Sequence, residues 1–417
     1  PRGWSSSLLQ ADGVTPFTDT DGNGWIDTGP VPGLGNRTIV VHVAVPSNAE
    51  IGTIEETSVR ATSTQDGNIT AHVLFTLDLP GPPTDDWPTS QHDSARTGAA
   101  SSSFALPLSK MWTYGGDSLY YESTSPVVTG DTVYYGSVNG NLTAVDRITG
   151  QGKWQSQLGL VGRSMSSLTL GDGALYIGYT SIVGFESVSA IDAQTGIVDW
   201  TFHTEGAAGF GTPVLKHGVL YFADRTGVLY ALDPNLGRSQ WEYRLGGDVS
   251  LGPSVIDGLI MAGTLQNEVF ALAIDGDVAW KTTVDAPVNG PIVGGDGRVF
   301  FSDATGSVYA LDSQTGIQIW KEGLSDGSRQ LQLAYSEGVL YVSGSIVAAL
   351  NGTTGVSLWS HRPTVTYWTS LVVDRGSFFT TGEDGVLYVL NSTLGSSSAS
   401  YLLHPFGAKN PPALMKG

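Results

Sequence analysis

Six tryptophans, Trp154, Trp200, Trp241, Trp280, Trp320 and Trp359, recur 39 to 46 residues apart, and each stands four residues after a glycine. A period of this length suits a unit of four short strands, which cannot bury its own faces and must stack against neighbours. The glycines are Gly150, Gly196, Gly237, Gly276, Gly316 and Gly355, and four of the turns read Asp or Asn, two residues, Thr-Gly, three residues, Trp. Each part has a task. The Asp or Asn caps the turn, the glycine supplies a positive φ, and the Trp opens the next strand with a large flat surface for the neighbouring unit.

Upstream of each turn lies an alternating strand such as "LTAVD", "LYALD" or "VYALD", preceded by two more, as in "TPVLK" and "VLYFAD". The pattern gives seven four-stranded units. An open solenoid and a sandwich are the rival architectures, but a closed ring leaves only short protected edges, so the expectation is an all-β, seven-bladed β-propeller. The seventh unit has Leu394-Gly395 but Ala399 where Trp belongs, while an unassigned stretch, "SKMWTYG" with Trp112, precedes the first unit. The expectation is that Trp112 supplies the outer strand of the last blade and latches the two ends of the chain together.

The motifs "AVDRITGQGKW", "AIDAQTGIVDW" and "ALDSQTGIQIW" resemble the tryptophan-docking motif of the pyrroloquinoline-quinone-like (PQQ-like) repeat family, and "DWPTSQHDSARTG" (86–98) resembles the leader of such propellers. The resemblance covers roughly residues 86–405 and implies the fold. It leaves function open, because these repeats serve quinoprotein dehydrogenases, outer-membrane assembly scaffolds and surface proteins alike.

Residues 1–80 have another texture. "RTIVVHVAV" and "NITAHVLFTLDL" alternate as half-buried antiparallel strands do, "PGPPTDDWP" marks a linker, and "VAVPSNAEIGT" resembles the immunoglobulin-like repeat of bacterial and archaeal surface proteins. Only four strands are legible, against about seven in such sandwiches. The sandwich is therefore expected to be incomplete alone, finished by upstream sequence or by a strand from another subunit. The expected organisation is a sandwich segment at 1–80, linker and leader at 81–107, propeller at 108–405 and a tail at 406–417.

Fifty-five glycines in 417 residues suit short strands and tight turns, and a net charge of −19 disfavours nucleic acid, whose binding needs a basic patch. The chain has no cysteine, which removes disulfides, thiolate metal sites and Cys nucleophiles together. No apolar run is long enough to span a membrane.

The sharpest local motif is "DTDGNGWID", whose Asp19, Asp21, Asn23, Trp25 and Asp27 alternate along a loop with Gly24 at the sixth position, as a structural Ca2+ requires. Its twelfth position is Pro30 rather than Glu, and a plain Asx/Gly turn is the competing reading. His92, Asp93 and Arg96 in the leader form an acid-base trio on paper, but without a nucleophile they read as hydrogen-bonding residues tying the leader to the blades. A quinoprotein enzyme needs a calcium-held quinone and a catalytic carboxylate facing the channel. The innermost strands are lined instead with small uncharged groups, so neither catalysis nor pyrroloquinoline quinone is expected.

The loops entering those strands carry Tyr120, Tyr121, Glu122, Arg163, Phe210, Asp248, Arg329, Tyr367 and Trp368, which read either as a glycan- or peptide-binding face or as blade-top packing. Five sequons, at Asn36, Asn68, Asn141, Asn351 and Asn391, would carry glycans in an exported protein. The functional expectation is a non-enzymatic extracellular or cell-surface structural or interaction protein, with the periplasm as the alternative location. Its partners would be copies of itself, assembled by strand complementation into a filament or array, or other surface proteins and glycans. The alternatives are a PQQ-dependent dehydrogenase and a peptide-docking assembly scaffold.

Overall fold

The structure, a computed structural model, describes residues 5–9, 40–44, 54–62, 70–78, 87–100, 106, 108, 110–114, 124–137, 140–158, 165–180, 185–207, 211–249, 251–324, 330–363, 371–374 and 376–402. The chain divides into two compact units, Pro1–Thr84 and Asp85–Gly417. The leader thus belongs to the second unit.

In the first unit β1 (Ser5–Leu9) pairs antiparallel with β2 (Val40–Ala44), and β3 (Ile54–Thr62) with β4 (Thr70–Asp78). These are the four strands legible in the sequence. They form two separate two-stranded sheets.

The second unit is a seven-bladed β-propeller of four-stranded antiparallel sheets. The innermost strands are Val127–Thr129, Thr169–Gly171, Val214–Lys216, Ser254–Ile256, Val293–Gly295, Gln332–Ser336 and Val372–Val373. Five of the first hairpins turn through two residues with positive φ, for example Asp172-Gly173 (53° and 80°) and Asp257-Gly258 (49° and 82°). Such turns match the right-handed twist of the flanking strands.

Every outermost strand carries a register shift at the residue before the docking position, as between Ala310↔Trp320 and Leu311↔Gln318. The resulting bulge turns the Trp toward the next blade. Trp154 lies against Gly196, where a Cβ would stand 2.5 Å from the ring, and its Nε1–H donates to the Ala193 carbonyl (3.0 Å). Trp200, Trp241, Trp280, Trp320 and Trp359 repeat the arrangement on the glycine turn of the following blade. The glycines are thus demanded twice, by positive φ and by the ring.

Behind each tryptophan the apolar core spans two neighbouring blades. Blades 3 and 4, for instance, share Tyr221, Leu229, Ile260, Phe270 and Leu272.

The seventh junction is built differently. The last blade forms its own outermost strand, Ser397–Leu402, paired to Val386–Asn391 with Ala399 opposite Val389, where the other blades place Trp. Trp112 is therefore not in an outer strand of that blade, contrary to the sequence expectation. Residues 110–114 form no strand, yet the Trp112 ring covers Gly150 of blade 1 and its Nε1–H donates to the Arg147 carbonyl at 2.8 Å. The physical reason is that the outermost strand Ser397–Leu402 already completes the hydrogen bonding of the last blade, so only an indole was missing. The same segment is anchored to the last blade, since Leu108 N–H donates to the Tyr401 hydroxyl (2.7 Å).

Candidate functional site

The leader is where the blades converge. Amides of Val128, Leu170, Val255, Gly294, Tyr335 and Val373, each two residues before the first hairpin turn of its blade, donate to the carbonyls of Trp87, Pro88, Ser94, Ala95, Thr97 and Gly98 at 2.6 to 3.0 Å. Blades 1, 2, 4, 5, 6 and 7 are thereby bound in chain order. Blade 3 is reached by a side chain: Arg96 Nη2 donates to the Thr212 carbonyl (2.9 Å), and Nε and Nη2 both to that of Pro253 (3.1 Å). Residues 87–100 thus make one circuit of the channel.

Gln91 and Arg96 are buried, and Gln91 Nε2 donates to the Leu333 carbonyl of blade 6 (2.8 Å). Both side chains thus tie the coil to the blades at this level. Gln91, His92 and Arg96 hold positive φ (61°, 78° and 55°), a conformation that L-residues tolerate only when surrounding bonds enforce it. Here the ring of blade amides does so.

Desolvation pulls the Arg96 pKa down to about 10, against the charge of Asp93. Burial works to raise the Asp93 pKa, but the His92 ring, 3.7 Å away, and bonds from Thr97 N–H (3.0 Å) and Oγ1–H (2.5 Å) outweigh it and hold the carboxyl below its usual value. The trio is thus an anchor. Its guanidinium serves carbonyls and its carboxylate serves a turn.

A quinone of this repeat family is a planar tricarboxylate, so a site for it needs converging cations and metal ligands. Among the described residues the innermost strands supply mainly Val, Leu, Ile, Gly, Ser and Thr, with Gln332, Tyr335 and a single cation, Lys216; the one channel guanidinium is committed to carbonyls, and no three His, Asp or Glu gather as a metal site. The described lining does not fit the group.

The remaining sequence-derived candidates fare unevenly. Asp19, Asp21, Asn23, Trp25 and Asp27 lie outside the described residues, as do Asn36 and Asn68. So do Tyr120, Tyr121, Glu122, Arg163, Phe210, Arg329, Tyr367 and Trp368; of that face Asp248 is described, and it is exposed. Asn141 opens the third strand of blade 1. Asn351 and Asn391 cap docking turns: Asn351 Oδ1 accepts from Thr353 and Thr354 N–H (3.0 Å each), and Asn391 Oδ1 from Thr393 and Leu394 N–H (2.9 and 2.8 Å).

Comparison with known proteins fits this geometry. A family model described as outer membrane protein assembly factor BamB, of PQQ-like repeat type, matches residues 35–243, 184–274 and 225–396. The chain belongs to this PQQ-like repeat family. Members similar to it include the outer membrane protein assembly factor BamB of Burkholderia pseudomallei, 30% identical over 36% of this chain and 41% of the relative, and that of Yersinia pestis, 25% identical over 46% and 51%. The quinohemoprotein alcohol dehydrogenase ADH-IIG of Pseudomonas putida is 30% identical over 31% and 21%. The aligned region spans about half or less of each of these relatives. Among solved structures, BamB from Moraxella catarrhalis superimposes with a TM-score of 0.57 at 20% identity, covering 69% of this chain and 89% of that one. A europium-containing methanol dehydrogenase gives 0.66 at 15%, covering 81% and 88%. At such identities the likeness establishes the fold alone.

Proposed function

We propose that the protein is a non-enzymatic interaction scaffold of the cell envelope, a rigid propeller that holds partner proteins. The observation that carries this reading is the leader's circuit, which commits the channel to structure at the level where six blade amides converge. Relatives whose names describe assembly factors support it. The decisive experiment adds pyrroloquinoline quinone and Ca2+ to the purified chain and follows quinone absorbance and dye-linked alcohol oxidation. No stoichiometric uptake and no dye reduction are expected; one quinone per chain with turnover would overturn the proposal.

Within this reading we assign the first unit to assembly outside the cytoplasm, through strands donated by another copy or a neighbouring surface protein. Two separate two-stranded sheets support it, because among the described residues each sheet has only two strands, and a sheet edge is a template for an added strand. Electron microscopy of native material tests this: fibres or arrays are expected, and dispersed monomers would rule it out. The Ca2+ loop at Asp19–Asp27 and glycans on the five sequons belong to the same proposal.

A further inference from the structure

In an antiparallel four-stranded meander the first and third turns lie at the same end, so every blade shows both to one face of the propeller. Each third turn presents one large aliphatic side chain to solvent. In blades 2, 5 and 6 it follows the glycine (Ile197, Ile317, Val356); in the others it precedes it (Ile148, Leu236, Ile274, Leu394). All seven are 47% to 69% exposed.

The placement is complementary. Where the residue after the glycine is polar, as at Gln151, Arg238, Asp277 and Ser396, the aliphatic has moved to the other side. Neither capping nor tryptophan docking requires an aliphatic at either position, and solvated turns ordinarily favour Gly, Asn, Asp and Ser. In blades 5 and 6 the apolar surface continues onto the bulged residue before the Trp, where Ile319 and Leu358 are exposed.

On the same face the first turns carry exposed carboxylates, Asp131, Asp172, Asp257, Asp296 and Glu337. An apolar outer rim therefore surrounds a mostly acidic inner ring, in which Asp131 is paired with Lys153 (2.8 Å) and the blade 3 turn carries Lys216 and His217 instead of a carboxylate.

We infer that this face, most strongly at Ile317, Ile319, Val356 and Leu358, docks a protein segment that sets apolar side chains between lysines or arginines. The inference deepens the scaffold reading and rests on it. Charge complementarity selects the occupant: a second copy would bring its own carboxylates against this ring, and an anionic lipid surface would be repelled in the same way.

The test uses the full chain and a labelled amphipathic leucine–lysine peptide, with a leucine–glutamate peptide of the same pattern and phosphatidylglycerol-containing vesicles as alternatives. The quadruple variant Ile317→Ser, Ile319→Ser, Val356→Ser, Leu358→Ser keeps the charge unchanged. It is expected to bind the lysine peptide at least tenfold more weakly than wild type, with the melting transition preserved. Equal binding by the variant would mean charge attraction alone and would overturn the inference, as would binding of the glutamate peptide or vesicles, or self-association that the variant abolishes. Should the variant fold poorly, carbodiimide cross-linking on the wild type decides instead: links to Asp257, Asp296 or Glu337 support the face, and links confined elsewhere sink it. Quinone-dependent turnover would remove the scaffold reading, whereas an unaffected variant would remove only this surface.

Discussion

Six blade junctions and the seventh solve one problem with different parts. At the junction of blades 5 and 6 the ring comes from the outermost strand, Trp320, with Phe300, Leu333, Leu340 and Tyr335 behind it. At the junction of blades 7 and 1 both rings come from outside the blades. Trp87 packs with Val128 and Val372 on the inside, and Trp112 covers Gly150 on the outside. The chemistry of the dock is preserved while its donor changes. A ring closes only once its ends meet, so the seam must be fastened by chain distant in sequence, and the leader performs that fastening while crossing the channel.

Replacing a whole ring is the most severe way to probe this contrast. Trp320→Ala and Trp87→Ala should each destabilise by ~3–5 kcal/mol in urea unfolding, because both side chains are buried and leave cavities. They should differ in hydrogen exchange: Trp87→Ala should free amides of Val372–Val373 first, Trp320→Ala those of blades 5 and 6. Identical exchange patterns would contradict a distinct seam. Next in size, Arg96→Met leaves the Thr212 and Pro253 carbonyls without their donor and should cost ~2–3 kcal/mol by the same measurement.

Trp112→Ala should cost about 2 kcal/mol, from one hydrogen bond and a half-buried ring. Adding Ala399→Trp in that background returns the indole to the blade's own strand and should restore most of the loss. Failure of the rescue would show that Trp112 acts other than by filling the seventh dock.

The smallest effect separates turns capped by Asp from those capped by Asn. Hydrogen bonds from Thr149, Thr195 and Thr315 hold the carboxyls of Asp146, Asp192 and Asp312 below their usual pKa. Groups with a depressed folded pKa contribute stability above the unfolded value, about 3.9, and lose it as pH falls through the folded one. Stability should therefore be flat in these terms from neutral pH down to about 4 and decline below it. Asp312→Asn should flatten that decline slightly, since Asn351 and Asn391 already cap equivalent turns without a titrating group.

The repeat made the blades legible because its signals are local: a cap, a left-handed glycine and a ring at fixed spacing. The absence of Trp at Ala399 was legible too, and it pointed to Trp112, but as a strand rather than as a bare ring. Nothing in the leader's sequence told that Trp87, Pro88, Ser94, Ala95, Thr97 and Gly98 would offer carbonyls to six blades in order, because backbone groups are the same at every residue. The aliphatic rim escaped notice since its residues shift about the glycine; aligning the turns on that glycine would have exposed it.

By itself, then, the sequence determined the unit, its seven-fold repetition and the tryptophan dock, all set by interactions within some forty residues. Only the tertiary structure decided what closes the ring, what lines the channel with the blades and which aliphatics remain in water. Those depend on contacts between residues as far apart as Leu108 and Tyr401, brought together by ring closure, which no local pattern encodes.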